Sequence, residues 1–261
     1  MSPVKRSAPP YRLFAGPLLL LGLFLSLLLP QPAAADVRLQ HLLDQLQQRF
    51  AAGANPARIA SFSAEFSQQA HIQSLNRSQQ GAGRVMARFN QPLGDSLITQ
   101  FRWDYRAPEQ QQILCDGETL WVYLPEDQRV MISPVQPDMQ RDDDPLLFLR
   151  SLDRLQQHFT IDWAEEPLEG SDSLLLWLKP LKPSSYIDHL LLRVPAWLED
   201  QPQTAALPLL QLVTVDPNGN RTEISFQQAQ LNPPLDGEQF RFIVPPGVDV
   251  VHPPASPETA Q

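Results

Sequence analysis

Side chains able to do chemistry are thinly spread along this chain. His41, His71, His158, His189 and His252 are its five histidines, and none has the close spacing that brings two imidazoles onto one metal ion. They read as strand or surface residues. Asp142, Asp143 and Asp144 form the one conspicuous acidic cluster; with Pro145 following, Asp144 fits a helix N-cap and Pro145 the first helical position. Glu165-Glu166 and Glu199-Asp200 fall in turn-like contexts, where solvated charge is expected. Cys115 is the only cysteine, so the chain has no internal disulfide, and the residue suits a small buried strand position. The sequence contains no G-x-S-x-G elbow, P-loop, dinucleotide fingerprint or H-E-x-x-H. The expectation is a protein that is not an enzyme, with no catalytic residue, metal or cofactor.

Apolar and aromatic surface is what the chain supplies in quantity. In the stretch 101–132, Phe101, Trp103 and Tyr105 alternate with Arg102, Asp104 and Arg106, the period of a strand with one apolar face. Asp116-Gly117 then separates two β-rich runs, 111–115 and 118–124, and predicts a hairpin with a type I′ turn. Residues 125–128 predict a second turn leading into a strand at 129–132. Before this meander, 59–68 and 81–88 read as strands, whereas 89–100 weakens around Pro92 and Gly94 into a loop or edge irregularity. After it, strands are expected at 159–163, 174–178, 186–194, 209–215, 221–226 and 239–244, about eleven or twelve in all. Residues 195–208, with three prolines, read as a loop insertion.

Two helices complete the set. Over 37–50, Leu39, Leu42, Leu43, Leu46 and Phe50 recur at helical spacing, and Gly53 and Asn55-Pro56 end the pattern. Over 146–158 the first turn, Leu146-Leu147-Phe148-Leu149, is wholly apolar and must cover something or be covered. A curved sheet carrying Phe62, Phe66, Phe101, Trp103, Trp121, Tyr123, Trp163 and Trp177, with these helices, is able to enclose a cavity as well as fill a core.

Residues 1–35 have the form of a cleaved signal peptide. Lys5, Arg6 and Arg12 precede an apolar run, 13–29, and Ala33-Ala34-Ala35 supplies a small-residue cleavage site. Its removal leaves 17 basic against 29 acidic side chains, a balance of −12. So acidic a chain argues against nucleic acid and anionic membrane surfaces as partners. The remaining 226 residues suit one domain, 36–251, followed by a Pro-rich tail, 252–261, that is expected to be disordered.

Seven stretches in series resemble the LolA family of periplasmic outer-membrane lipoprotein carriers: SFSAEFSQ at 61–68, Gly81-Ala82-Gly83, FRWDYRAP at 101–108, CDGETLWVYLP at 115–125, DPLLFL at 144–149, DPNGNRTEISF at 216–226 and FRFIVPPGVDVV at 240–251. The resemblance implies a mainly β fold with helices, an incomplete, half-open antiparallel barrel of about eleven strands closed by a helical lid. It implies a periplasmic chaperone, acting as a monomer, that binds lipoprotein acyl chains. Such a chaperone accepts clients from an inner-membrane ABC-type release complex and delivers them to an outer-membrane receptor. The acyl-chain cavity is expected to include Leu43, Leu46, Phe66, Phe101, Trp103, Trp121, Leu146, Leu147, Phe148 and Leu149. Arg88 is the expected lid latch, although this chain reads Arg88-Phe89-Asn90-Gln91-Pro92 where the family has Arg-Pro. A module of the same fold that carries or senses a different lipid is the alternative, and a lipid-processing esterase would need a nucleophile and base converging in the cavity.

Overall fold

A computed structural model describes residues 34–135, 148–149, 151–165 and 172–252. The chain divides into two units, Met1–Val37 and Arg38–Gln261. Among the described residues the second unit contains a sheet of twelve strands hydrogen-bonded in one series: β1 (Ser61–Ile72), β2 (Arg77–Leu93), β3 (Ser96–Ala107), β4 (Gln111–Cys115), β5 (Thr119–Leu124), β6 (Arg129–Pro134), β7 (Phe159–Trp163), β8 (Ser173–Pro180), β9 (His189–Pro195), β10 (Gln211–Val215), β11 (Arg221–Leu231) and β12 (Asp249–Val251). Their order is β12-β6-β5-β4-β3-β2-β1-β11-β10-β9-β8-β7. Every pair is antiparallel except β12 on β6. The ends do not meet, so the sheet is a half-open barrel. Among the described residues no helix is long and apolar enough to cross a membrane.

Strand alternation divides the sheet into two faces. On the inner face Phe62, Ala64 and Phe66 of β1 meet Val85, Ala87 and Phe89 of β2, Phe101 and Trp103 of β3, and Ile113 and Cys115 of β4 in one buried cluster. The same cluster takes in β8, β9, β10 and β11 through Leu178, Leu190, Leu212 and Ile224. Helix α1 (Ala34–Phe50) lies on it. Leu39, Leu42, Leu43, Leu46 and Phe50 are all at most 5% exposed, so the predicted stripe is the buried face. The helix stops where Asn55 Nδ2 donates to the Gln48 carbonyl (3.1 Å) and Gly53 takes φ +135°, a conformation that favours glycine.

Several sequence expectations need correction. The β4–β5 turn is not type I′, because only Gly117 has positive φ; Asp116 instead accepts the Glu118 and Thr119 amides on its carboxylate, an Asx turn. Of the two readings of 89–100, a loop or an irregularity, the structure has the irregularity. β2 runs to Leu93 and β3 starts at Ser96, with a register shift between Arg88 and Gln91, where Asn90 takes φ 54°. No strand occupies 239–244. Asp236 caps a 3₁₀ turn, Gly237–Phe240, that buries Phe240, and the last strand lies further on at β12.

The helix expected over 146–158 is not continuous among the described residues. Phe148 and Leu149 lie in a 3₁₀ turn, and only Leu155–His158 (α2) is α-helical. Ser151 Oγ donates back to the Phe148 carbonyl (3.0 Å), a local bond that competes with helix continuation. Leu146, Leu147 and the Asp142–Asp144 cap fall outside the described residues, as do the leader through residue 33 and the tail from 253. Within 195–208 the insertion contains one short helix, α3 (Trp197–Asp200).

Candidate functional site

The inner face is the site the sequence pointed toward, and its character follows from strand parity. Leu43, Leu46, Phe66, Phe101, Trp103, Phe148 and Leu149 all belong to the single cluster between sheet and α1. Trp121 does not. On β5 it is Leu120 and Val122 that pack against this cluster, so Trp121, paired with Leu114 and Ile132, points to the outer face. Tyr123 follows it, its ring 5.2 Å from that of Phe242. Trp177 is also outward, with Leu175, Leu191 and Val213 in a separate cluster.

At one end of the inner face four rings meet. Phe66 stands edge-on to Trp103 at 4.9 Å and to Tyr105 at 4.8 Å, and Trp103 lies 6.2 Å from Phe226. Gly83 makes this possible. A Cβ there would lie 2.1 Å from the Asp104 carbonyl oxygen and 2.9 Å from the Phe66 ring. Tyr105 and Phe226 are only half-buried, so the cluster reaches the surface. The buried Trp103 Nε1 has no acceptor among the described residues.

Arg88 does not face the lid. Its neighbours Ala87 and Phe89 are inward, and Arg88 itself donates to Gln100 (3.2 Å) and Gln91 (2.6 Å), with its guanidinium 5.9 Å from the Phe240 ring. It holds the C-terminal segment against the outer face. One position along, Phe89 does touch α1, with its ring 5.1 Å from that of Phe50.

The residue that fastens the helix is Arg49. It is 2% exposed, and it donates to the carbonyls of Pro202 (2.7 Å), Thr204 (2.9 Å) and Ala206 (3.0 Å). Its guanidinium also lies 5.5 Å from the Trp197 ring. Burial pushes its pKa below the ordinary arginine value, yet a guanidinium stays charged at any physiological pH. Arg49 sits three residues after Leu46 and seven after Leu42, within the apolar stripe itself. A cation at that spacing was the available sign of a buried, bonded charge.

Further polar contacts run along the edges of the helix. Arg38 donates to both Glu199 carboxylate oxygens (2.6 and 2.8 Å), which raises its pKa. Gln47 and Gln40 both bond Gln156, next to α2. Asn90, at the β2 irregularity, donates to the last helical carbonyl, that of Phe50 (2.7 Å). The 195–208 insertion thus supplies the partners of both arginines.

The family described as outer membrane lipoprotein carrier protein LolA matches residues 57–243. An outer-membrane lipoprotein carrier protein of Chromohalobacter salexigens is 27% identical over 194 residues, 74% of this chain and 81% of that protein. One from Pseudomonas paraeruginosa is 31% identical over 152 residues, 58% of this chain and 65% of its own length. A solved LolA superfamily protein from Nitrosomonas europaea aligns with 78% of this chain and 97% of its own at 12% identity and a TM-score of 0.42.

Proposed function

Because this chain belongs to the LolA family of outer membrane lipoprotein carriers, we propose that it shelters lipoprotein acyl chains between the inner face of its sheet and α1. Residues 1–35 are its export signal, the periplasm its compartment, and carriage without chemistry its role. It takes clients from an inner-membrane ATP-driven release complex and gives them to an outer-membrane receptor.

One observation carries this reading: a continuous apolar sheet face is covered by a helix whose fastenings are polar, Arg49 within its apolar stripe and the others along its edges. An acyl chain reaches that face by displacing α1. The energies allow the exchange. Burying a ~16-carbon chain is worth roughly 12 kcal/mol at about 0.8 kcal/mol per CH₂. Exposing the five apolar side chains of α1 costs about 10 kcal/mol at roughly 2 kcal/mol each. The near balance matters, because full capture of the lipid energy would make release impossible. Polar latches then decide which state dominates, and Arg49, with three carbonyl bonds, is the principal one. In the open state the indole N–H of Trp103 serves as a donor for an acyl ester carbonyl.

The test is release from membranes. Purified protein incubated with spheroplasts should bring newly made lipoproteins into the soluble fraction as a complex. If the folded protein leaves every lipoprotein in the membrane, the carrier reading fails and a module for a different lipid takes its place.

A further inference from the structure

Basic and apolar side chains collect at one end of the sheet, at the loops β1–β2, β8–β9 and β10–β11. The loops form one rim. The Gln73 amide donates to Asn220 Oδ1 (3.0 Å), the Asp188 amide donates to the Val215 carbonyl (2.8 Å), and Pro217 shares a cleft with Lys182 and Ser184. Three large apolar side chains stand out from it: Leu75 is 67% exposed, Leu181 56% and Tyr186 63%.

The charges around them are unequal. Lys5 falls in the leader, and the other two lysines of the whole sequence are Lys179 and Lys182, flanking Leu181. Arg77 and Arg221 begin the strands β2 and β11 beside them. The nearby carboxylates are already engaged. Asp188 accepts from His189 (2.8 Å) and lies 4.0 Å from Lys179, Asp216 accepts from Asn218 and Asn220, and Glu223 lies 3.9 Å from Arg221. Among the described residues neither Arg77 nor Lys182 has a carboxylate partner.

We propose that this rim docks on an anionic phospholipid bilayer, with Leu181, Tyr186 and Leu75 entering the headgroup boundary and Lys179 and Lys182 meeting lipid phosphates. Tyr and Leu beside Lys suit that boundary, where one end of a side chain is apolar and the other wet. The net charge of the chain argues against membranes only when it is taken as uniform. Attraction falls off within a Debye length, about 8 Å at physiological salt, so a local cluster can act while distant carboxylates are screened. Docking goes beyond acyl-chain carriage and is measured without cargo, so its failure would leave the carrier reading standing.

The test is sedimentation of the purified exported protein with vesicles of phosphatidylglycerol or of phosphatidylcholine alone. Binding to the anionic vesicles only is expected. A Lys179→Gln/Lys182→Gln variant should bind about 25-fold more weakly, at roughly fivefold per cation, and a Leu181→Ser/Tyr186→Ser variant about tenfold more weakly. All four side chains lie on the surface rim, and circular dichroism confirms that the variants are folded. Equal binding to both vesicle types, no binding to either, or binding that both variants leave unchanged overturns the proposal. A rim that instead captures a membrane protein would show the second or the last of these results with protein-free vesicles.

Discussion

Replacing Arg49 with methionine should lower the stability of the protein by about 3 kcal/mol and shift α1 toward its displaced state. Methionine keeps an unbranched apolar stem and removes the guanidinium, together with its contact with the Trp197 ring. Three carbonyls, of Pro202, Thr204 and Ala206, then lose a charged donor. Hydrogen bonds to charged groups contribute about 1.5–3 kcal/mol each, but these carbonyls belong to a loop that can turn toward water and recover part of that. Arg38→Met is the control. Arg38 makes a two-pronged bond to Glu199, but its side chain is 56% exposed, so its loss should cost less than about 1 kcal/mol. Urea unfolding separates the two. Faster transfer of bound lipoprotein by Arg49→Met than by Arg38→Met would place the latch at Arg49, and equal behaviour would remove it.

The second large effect is expected at Gly83. In Gly83→Ala the new methyl meets the Asp104 backbone 2.1 Å away and the Phe66 ring 2.9 Å away, and backbone cannot yield as a flexible side chain can. The pairing of β2 with β3 already shifts register between Ala82 and Gly83, so strain there is relieved only by moving β3 or by expelling Phe66. Either disrupts the ring cluster of Phe66, Trp103 and Tyr105. A loss of about 3 kcal/mol is expected, together with a change in near-ultraviolet circular dichroism from Trp103. Gly81→Ala, whose methyl would meet nothing closer than 3.4 Å, should be near neutral. Similar stability for the two variants would mean that the β2–β3 approach is looser than described.

How far each structural signal reaches along the chain decided what the sequence revealed and what it concealed. Period-two alternation is local, so eleven of the strands lay close to where the pattern put them, and the α1 stripe was legible from Leu39 to Phe50. Which face a residue takes is also local, but it has to be read by parity from a buried anchor. Counting from Phe101 and Trp103 across the hairpins would have put Trp121 outside, with Leu114 opposite it, and Val85 and Ala87 likewise put Arg88 outside. Grouping residues by aromatic type obscured this.

Long-range partners left weaker traces. Nothing near Arg49 in sequence announces carbonyls more than 150 residues away; only its place in the apolar stripe does. The run around Phe240 and Phe242 alternates like a strand, yet these rings cap Arg88 and Tyr123 on the outer face, a tertiary demand that overrides the local pattern. The segment after Phe148 shows the same limit, since apolar residues at helical spacing did not reveal that Ser151 would turn back on the chain.

Strand β5 offers the most direct measurement of the central claim, that acyl chains lie on the inner face. Its successive residues point to opposite sides: Leu120 and Val122 pack on the inner cluster, and Trp121 and Tyr123 face outward. A photo-crosslinking amino acid placed singly at Val122, Tyr105, Trp121 and Tyr123, followed by irradiation of the protein loaded with lipoprotein, reads the face at single-residue resolution. Capture of acyl chains at Val122 and Tyr105, with none at Trp121 and Tyr123, is the predicted result. Capture at Trp121 and Tyr123 without capture at the inner pair would contradict that claim.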